Sequence, residues 1–319
     1  MELKVVALGG GTGLSTLLRG LKQLTSKITA IVTVSDDGGS SGRLRAEMGV
    51  LPPGDIRNCL VALADSESLM TELFNYRFKG NGPLAGHSFG NLFIAAMSDI
   101  TGDFDLAVKR SSDVLAIRGR VLPATCDDCV LGAILEDGRR VLGESVLATC
   151  DSPISRVFLE PGDCKPLPEA LRAIDEADAI VLGPGSLYTS VIPNLLVPGM
   201  ADAIATSKAV KIYVCNVMTE AGETTGYTAQ RHLAAIRNHA GDEVVDWVIV
   251  SNSPISRHLR EKYLAEGAEP VRYDADELRA MGVGVVEASV ASETDIVRHD
   301  PMGLALTVAE VALRNPRSR

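Results

Sequence analysis

The sequence predicts an α/β protein of Rossmann-like type with a doubly wound, mostly parallel sheet. Short apolar runs of strand length alternate along the chain with segments whose apolar residues recur at helical spacing. The strand candidates are almost continuously apolar, which is typical of parallel strands that are buried on both faces. The first of them runs directly into a glycine-rich loop and then a helical segment.

The predicted elements follow one another in alternating order. A strand at residues 4–8 is followed by glycines and by a helix at 15–24, whose apolar residues keep helical spacing. A second strand at 29–34 ends in the polar, glycine-containing stretch 35–42. Further strands are predicted at 179–182, 210–215 and 247–250, and further helices at 59–64, 168–176, 228–239 and 255–266.

The pattern changes between about residues 118 and 160. Residues 129–135 and 139–147 are typical of two strands joined by a turn at Asp137-Gly138. No Gly-, Ser- or Pro-rich linker flanks this segment. We therefore expect a small antiparallel β insertion within a single domain that spans residues 1–319.

Composition limits the class of partner. The chain of 319 residues has 31 Lys and Arg against 41 Asp and Glu, and no basic run interleaved with aromatic residues, so we expect no nucleic-acid partner. No apolar run reaches membrane-spanning length, and the opening residues lack the features of a signal peptide. The six cysteines are scattered, so the sequence predicts reduced thiols and a cytoplasmic location.

The loop at residues 9–13 is the first candidate for a binding site. The backbone amides of Gly10, Gly11, Thr12 and Gly13, at the start of a helix, are suited to binding an anion, phosphate above all. The strict dinucleotide fingerprint needs glycine where Leu14 stands, and no Lys-Ser/Thr ending marks a P-loop. A glycine turn that only permits tight strand-to-helix packing is the alternative.

Two acids follow the second predicted strand. Asp36 lies 25 residues after Gly11, near the place where a Rossmann acid binds ribose hydroxyls, so NAD is one candidate ligand. Asp36 and Asp37 could equally hold Mg²⁺, while the amides around Ser40 bind an anion. A solvated Asp-Asp turn is the third interpretation.

Further candidates lie beside other loops. Asp55, in a Pro-Pro-Gly turn, is positioned either to cap the helix at 59–64 or to contact a polar substrate. His87 precedes another apolar helix, as a buried cap or as a ligand contact. Arg298 is suited either to clamp a diphosphate or to form a surface ion pair. Gly183, Gly185 and Ser186 follow a predicted central strand and form a second candidate phosphate loop.

No metal site is predicted. Cys126 and Cys129 have the spacing of half a zinc site, but no second close pair of cysteines follows and no histidine lies nearby in sequence.

Seven blocks in one order resemble the gluconeogenesis factor family, YvcK, which is related to the 2-phospho-L-lactate transferases, CofD. They are GGGTG at 9–13, SDDGGSSG at 35–42, PPGDIRN at 52–58, GHSFGNL at 86–92, LGPGSLYTSVIPNLL at 182–196, CNVMTEAGET at 215–224 and RHD at 298–300. Several separate blocks in one order are more specific than a single glycine loop.

The resemblance implies a Rossmann-like core, usually dimeric, with a nucleotide diphosphate among these loops. In the regulatory branch the ligand is a UDP-sugar, notably UDP-N-acetylglucosamine, and the role is support of cell shape and envelope synthesis during gluconeogenic growth. Arg298 is carried over as a sugar-nucleotide contact. The matching blocks add Asn58, Asn91, Asn216 and Thr219 as candidate contacts.

The transferase branch implies a different chemistry. Its members move a phospholactyl group from a guanosine diphosphate donor onto a deazaflavin alcohol with Mg²⁺, and Asp55 would match an acid that faces the acceptor. This sequence departs from the transferase pattern at Arg57-Asn58, where the transferases tend to have an acid and a small hydroxyl residue. The catalytic candidates are Asp36, Asp37 and Asp55, and whether the ligand is turned over stays open.

Overall fold

The computed structural model describes residues 2–65, 68–147 and 149–314. Its strands in those residues are β1 (Val5–Gly9), β2 (Ile28–Val32), β3 (Arg120–Pro123), β4 (Val130–Leu135), β5 (Arg140–Leu142), β6 (Ile154–Glu160), β7 (Ala179–Leu182), β8 (Val210–Val214), β9 (Trp247–Ser251), β10 (Gly284–Ala288), β11 (Ala291–Glu293) and β12 (Val297–His299).

The α-helices lie mainly between these strands. They are α1 (Gly11–Leu21), α2 (Gly39–Met48), α3 (Gly54–Leu63), α4 (Ser68–Asn75), α5 (Phe89–Thr101), α6 (Phe104–Leu115), α7 (Glu144–Leu147), α8 (Pro168–Asp175), α9 (Ile192–Leu196), α10 (Met200–Thr206), α11 (Ala229–Ala240), α12 (Arg257–Ala265), α13 (Ala275–Ala280) and α14 (Pro301–Arg314). A π-helical turn, Leu187–Val191, precedes α9, and a 3-10 turn, Asp242–Val244, follows α11.

A seven-stranded parallel sheet forms the centre, in the order β10-β9-β8-β7-β1-β2-β3. The strands β1, β2 and β3 follow one another toward one edge of the sheet. The chain then returns to β7, beside β1, and β7 to β10 follow one another toward the opposite edge. The predicted doubly wound α/β fold is confirmed. The reversal between β1 and β7 leaves a crevice at their carboxyl ends, which is where open α/β sheets bind ligands.

Two apolar cores cover the two faces of this sheet. Successive residues of β1 alternate between them, with Val6 and Leu8 in one core and Val5 and Ala7 in the other. The first core contains side chains of α8 to α11 and of strands β4 and β6, and the second contains side chains of α1, α3, α6 and α14. Both faces are therefore buried, which explains the continuously apolar strands in the sequence.

The segment 118–160 divides between two sheets. β3 is a parallel edge strand of the central sheet, paired with β2. β5, β4 and β6 form a separate three-stranded antiparallel sheet. The predicted second strand at 139–147 is shorter than expected, because it ends at Leu142 and a helical turn starts at Glu144.

Two helices begin earlier than their apolar spacing predicts. α1 starts at Gly11, inside the glycine loop, and α3 starts at Gly54 rather than at residue 59. Asp55 therefore lies in the first turn of α3 and is not its N-cap, which is a correction to the sequence interpretation. The residues at these starts are glycine and polar, so hydrophobic periodicity does not reveal them.

Among residues 2–65, 68–147 and 149–314, no helix combines the length and apolarity needed to cross a bilayer. The six cysteines are free thiols.

Candidate functional site

A cleft of about 440 Å³ opens where β1, β2, β7 and β8 end. Its lining comes from loops that are far apart in sequence: Gly10, Gly11, Thr12, Gly13, Thr16, Asp36, Asp55, Glu144, Pro184, Gly185, Ser186, Ser190, Asn216, Val217, Met218, Thr219, Glu220, Tyr263, Val297, Arg298 and His299. Because parallel strands end at the same edge, the loops that follow them meet there.

The two glycine loops of the cleft touch backbone to backbone. A Cβ atom added to Gly13 would lie 2.6 Å from the carbonyl oxygen of Pro184 and 2.9 Å from the Cα of Gly185. Neither backbone atom can move away cheaply, so only glycine fits at residue 13. This close approach leaves the backbone amides of residues 10–13, at the start of α1, along one side of the cleft. They are called the wall of amides below.

Asn194 stabilises the contact between the two glycine loops. Its buried side-chain amide donates to the carbonyl oxygens of Gly9, at 3.1 Å, and Ser190, at 2.8 Å. One side chain therefore ties the end of β1 to the turn that follows β7.

Carboxyl groups also line the cleft, and that of Asp55 lies against the glycine loop. The carboxylate of Asp55 accepts a hydrogen bond from the amide of Gly11, but burial and the neighbouring Asp36 raise the pKa of Asp55 to about 7. Burial, with the charges of Asp36 and Asp55, raises the pKa of Glu144 to about 9. Glu144 is therefore protonated at neutral pH and can both donate and accept a hydrogen bond.

A second acidic pair fixes the loop after β7. Burial raises the pKa of Glu220, which also accepts a hydrogen bond from Ser186. Burial and the charge of Glu220 raise the pKa of Glu223 to about 8, and Thr189 donates to Glu223 at 3.2 Å. The side-chain amide of Asn216 donates to Glu220 at 3.2 Å. The loop after β8 thus supports the loop after β7.

The antiparallel pair of β11 and β12 brings Arg298 to the mouth of the cleft. The side chain of Arg298 is exposed, and among the residues that the structure describes it has no ion pair. The Tyr263 hydroxyl accepts from the backbone amide of Val297 at 3.1 Å, which joins α12 to this pair of strands. Val297 also packs with Val217 and Met218 from the loop after β8.

The described residues of the cleft do not supply a complete set of ligands for Mg²⁺. Within the described parts of the chain, no group of three or more His, Cys, Asp or Glu side chains is arranged to hold a metal ion. Asp36 already accepts from the amide of Gly38 at 2.8 Å, and Asp37 from the amide of Ser145 at 2.8 Å. Asp36 and Asp55 alone do not make such a site, and a Mg²⁺ ion here would need further oxygens from a bound ligand.

The profile described as 2-phospho-L-lactate transferase CofD matches residues 5–291. The chain belongs to the CofD family.

Relatives of this family member are named gluconeogenesis factor, as the sequence blocks indicated. The chain is 53% identical over 307 residues to one from Halalkalibacterium halodurans, covering 96% of this chain and 95% of the relative. It is 50% identical over 309 residues to one from Bacillus subtilis, covering 97% and 98%. A crystal structure of a protein from Bacillus halodurans has a TM-score of 0.94 at 52% identity, covering 97% of this chain and 99% of that chain.

Most of the residues predicted from sequence meet in the cleft of this CofD family member. Those that line it are Gly10, Gly11, Thr12, Gly13, Asp36, Asp55, Gly185, Ser186, Asn216, Thr219 and Arg298. The others lie outside its lining: Asp37, Ser40, Asn58, His87, Asn91 and Gly183. Asp37 instead holds the first turn of α7 through Ser145.

Sequence reasoning missed Glu144, Tyr263 and His299, which also line the cleft. Glu144 follows a short strand of the antiparallel sheet. The expectation that ligands bind at the carboxyl ends of parallel strands therefore does not identify Glu144. Tyr263 lies within a charged helix that no glycine loop or strand end marks as part of a site. His299 was inside the RHD block and could have been found with Arg298.

Proposed function

We propose that this protein is a cytoplasmic regulator that binds a UDP-sugar, with UDP-N-acetylglucosamine as the preferred ligand. Its bound state would support cell shape and envelope synthesis during gluconeogenic growth. The nucleotide class rests on the sequence blocks shared with the gluconeogenesis factors, and the binding mode rests on the cleft.

One observation carries the binding mode: the wall of amides at residues 10–13 and the guanidinium of Arg298 line the same cleft. Backbone amides at the start of α1 favour phosphate oxygens. Arg298 supplies a positive charge that no carboxylate neutralises within the described residues. We place the diphosphate between these two groups.

The acidic side of the cleft suits the hydroxyl-bearing parts of the ligand. Asp36 and the partly protonated Asp55 would repel a diphosphate but accept hydrogen bonds from sugar hydroxyls. Neutral Glu144 adds a donor and an acceptor without adding charge. Asn216 and Thr219 offer further polar groups on the same loop.

Isothermal titration tests this proposal. We expect UDP-N-acetylglucosamine to bind more tightly than NAD or GDP, and Arg298→Ala to weaken its binding at least about tenfold. Arg257→Ala is the matched control, because Arg257 is exposed and, among the described residues, its only ion pair is with Glu261 on its own helix. Absence of UDP-sugar binding, or equal losses in both variants, would overturn the proposal.

A transferase is the second candidate, because Asp36 and Asp55 both face the cleft and the family profile is that of a transferase. The protein would then bind a nucleotide diphosphate donor and transfer its phospholactyl group to an acceptor alcohol, releasing the nucleoside monophosphate. Incubation with Mg²⁺, donor and acceptor should release the monophosphate, and Asp55→Asn should slow the release. A stable, unreactive complex would contradict this candidate.

We also propose that the protein is a homodimer, as the sequence resemblance implies. The last helix, α14, exposes Met302, Leu306 and Leu313, which a second copy could cover. Light scattering at micromolar concentration tests this, and a monomeric mass would contradict it.

A further inference from the structure

Arg19 is a second arginine beside the cleft, and it belongs to α1 itself. Thr12 and Thr16 line the cleft, and Arg19 continues the same face of the helix one turn further on. Side chains on a helix slant toward its N-terminus. The side chain of Arg19 therefore starts out toward the end of α1 that carries the wall of amides.

This turn of α1 lies against the segment that carries Arg298. A Cβ atom added to Gly20 would collide with the carbonyl oxygen of Pro301, so α1 packs directly on the start of α14. Arg298 lies just before Pro301 on β12, which also contacts α1. Partial burial, and then the charge of Arg298, lowers the pKa of Arg19. Two arginines that are far apart in sequence thus meet beside the mouth of the cleft.

No carboxylate offsets these two charges. Within the described parts of the chain, neither Arg19 nor Arg298 forms an ion pair. The group that raises the pKa of Arg19 is the Cys59 thiol, and burial keeps that thiol protonated at neutral pH. Like charges repel, and partial removal from water strengthens the repulsion. An anionic group bound between the two arginines would relieve it.

The cleft beside the two arginines contains polar groups that lack partners. No side chain caps the start of α1, and the amides of residues 12 and 13 lie in the first turn, where helical hydrogen bonding leaves amides free. The amide of Gly11 already donates to Asp55. His299, which also lines the cleft, is 8% exposed, and among the described residues neither ring nitrogen has a partner in hydrogen-bond geometry. The backbone of Val290 lies near this ring, but burial prevails and lowers the pKa of His299 to about 4. A bound ligand or water must satisfy such groups.

We propose that Arg19 and Arg298 together hold one phosphate group of the diphosphate, while the wall of amides holds the other. These two residues are called the arginine pair below. The inference rests on the proposed function, because it requires that the ligand of the cleft contains a diphosphate. Two guanidinium groups offer charge-assisted hydrogen bonds to one phosphate, so they favour ligands with two phosphates over ligands with one. Arg19 is therefore a specificity-determining residue of the cleft.

Calorimetric titration with UDP-N-acetylglucosamine, inorganic diphosphate and UMP tests the arginine pair. Arg19→Gln removes the charge and keeps a polar side chain. We expect this variant to bind both diphosphate compounds at least about fivefold more weakly than the wild type, because it loses charge-assisted hydrogen bonds. Its affinity for UMP should change less than about twofold, because the wall of amides holds a single phosphate. Arg19→Lys keeps the charge without the forked donors and should give intermediate affinities.

Arg110→Gln is the matched control and should bind all three compounds as the wild type does. Arg110 is exposed on α6, does not line the cleft, and pairs with Asp113 on its own helix. The double variant Arg19→Gln, Arg298→Gln should lose less affinity for inorganic diphosphate than the product of the two single losses, because both arginines act on one phosphate.

The outcomes distinguish this inference from the proposed function. If Arg19→Gln binds both diphosphate compounds as tightly as the wild type, the arginine pair is wrong and UDP-sugar binding stands. If the wild type binds inorganic diphosphate through Arg19 but does not bind UDP-N-acetylglucosamine, the pair stands and the proposed ligand is wrong. The inference is also overturned by equal losses in Arg19→Gln and Arg110→Gln, by equal losses for UMP and the diphosphates, or by a wild type that binds neither diphosphate compound.

Discussion

The first turn of α3 lies between two compartments: the cleft, and the packed region of α2, α3 and α5 that contains Arg57, His87 and Asn91. Asp55 and Arg57 are two residues apart, and so point about 200° apart around the helix. Asp55 faces the cleft, where Asp36 and Glu144 add further carboxyls. Arg57 lies in the second compartment, where its stem packs on the start of α5. Burial and the charge of Arg77 lower the pKa of Arg57, and the charges of Asp55 and Asp36 raise it. One turn of helix thus gives each compartment its own chemistry, and the variants below distinguish them.

The largest effect is expected from Gly13→Val, which should both destabilise the fold and abolish binding in the cleft. The added side chain meets the backbone of residues 184 and 185, so we expect a loss of at least about 3 kcal/mol of folding free energy and no detectable nucleotide-sugar binding. Urea denaturation and calorimetry measure both. Gly82→Val is the control, because nothing lies within 4 Å of a Cβ there. Equal effects at the two positions would contradict the tight contact.

Asp55→Asn should change the pH dependence of stability. The pKa of Asp55 is raised from 3.8 to about 7, so the folded protein holds a proton that the unfolded chain loses as the pH rises above about 4. Wild-type stability therefore falls between about pH 4 and pH 7, and the variant lacks this loss. We expect the variant to gain about 4 kcal/mol over the wild type at pH 8 and little at pH 4. Denaturation at both pH values measures the difference, and a gain independent of pH would contradict the raised pKa.

His87→Ala tests the other compartment. Burial and the charge of Arg43 lower the pKa of His87, so the neutral ring contacts Ser40. Removing it should cost about 1–2 kcal/mol of folding free energy and leave the Kd for nucleotide sugar unchanged. The exposed His258→Ala is the control. A weakened nucleotide-sugar complex would mean that the two compartments are not separate.

The smallest effect is expected from Asp37→Ala. Asp37 accepts from the amide of Ser145, next to Glu144, so its loss should cost about 1 kcal/mol and loosen only the start of α7. Hydrogen exchange of residues 144–147 should quicken while that of the central sheet does not change. Uniform exchange across both regions would contradict this role.

The cleft was predictable where it follows parallel strands. Gly10 to Gly13, Asp36, Ser186 and Asn216 each come shortly after a buried strand, and a parallel sheet must bring such loops together. Glu144 was not predictable, because it reaches the cleft through the packing of a separate antiparallel sheet.

The second compartment was predictable only as a set of residues, not as a place. Ser40, His87 and Asn91 carry polar groups beside glycines, which indicates function but not location. Their separation from the cleft depends on the packing of α2 and α5 beside α3, and α3 begins earlier than its apolar spacing shows. Sequence periodicity does not fix that packing.

The contributions to the cleft run from Gly10 to His299, almost the whole length of the chain. A growing chain on the ribosome therefore has no complete pocket until its final strands have emerged, and a fragment cut before β12 lacks Arg298. A ligand held there would bind only chains that extend past β12. It would stabilise those chains against proteolysis and leave shorter products unprotected.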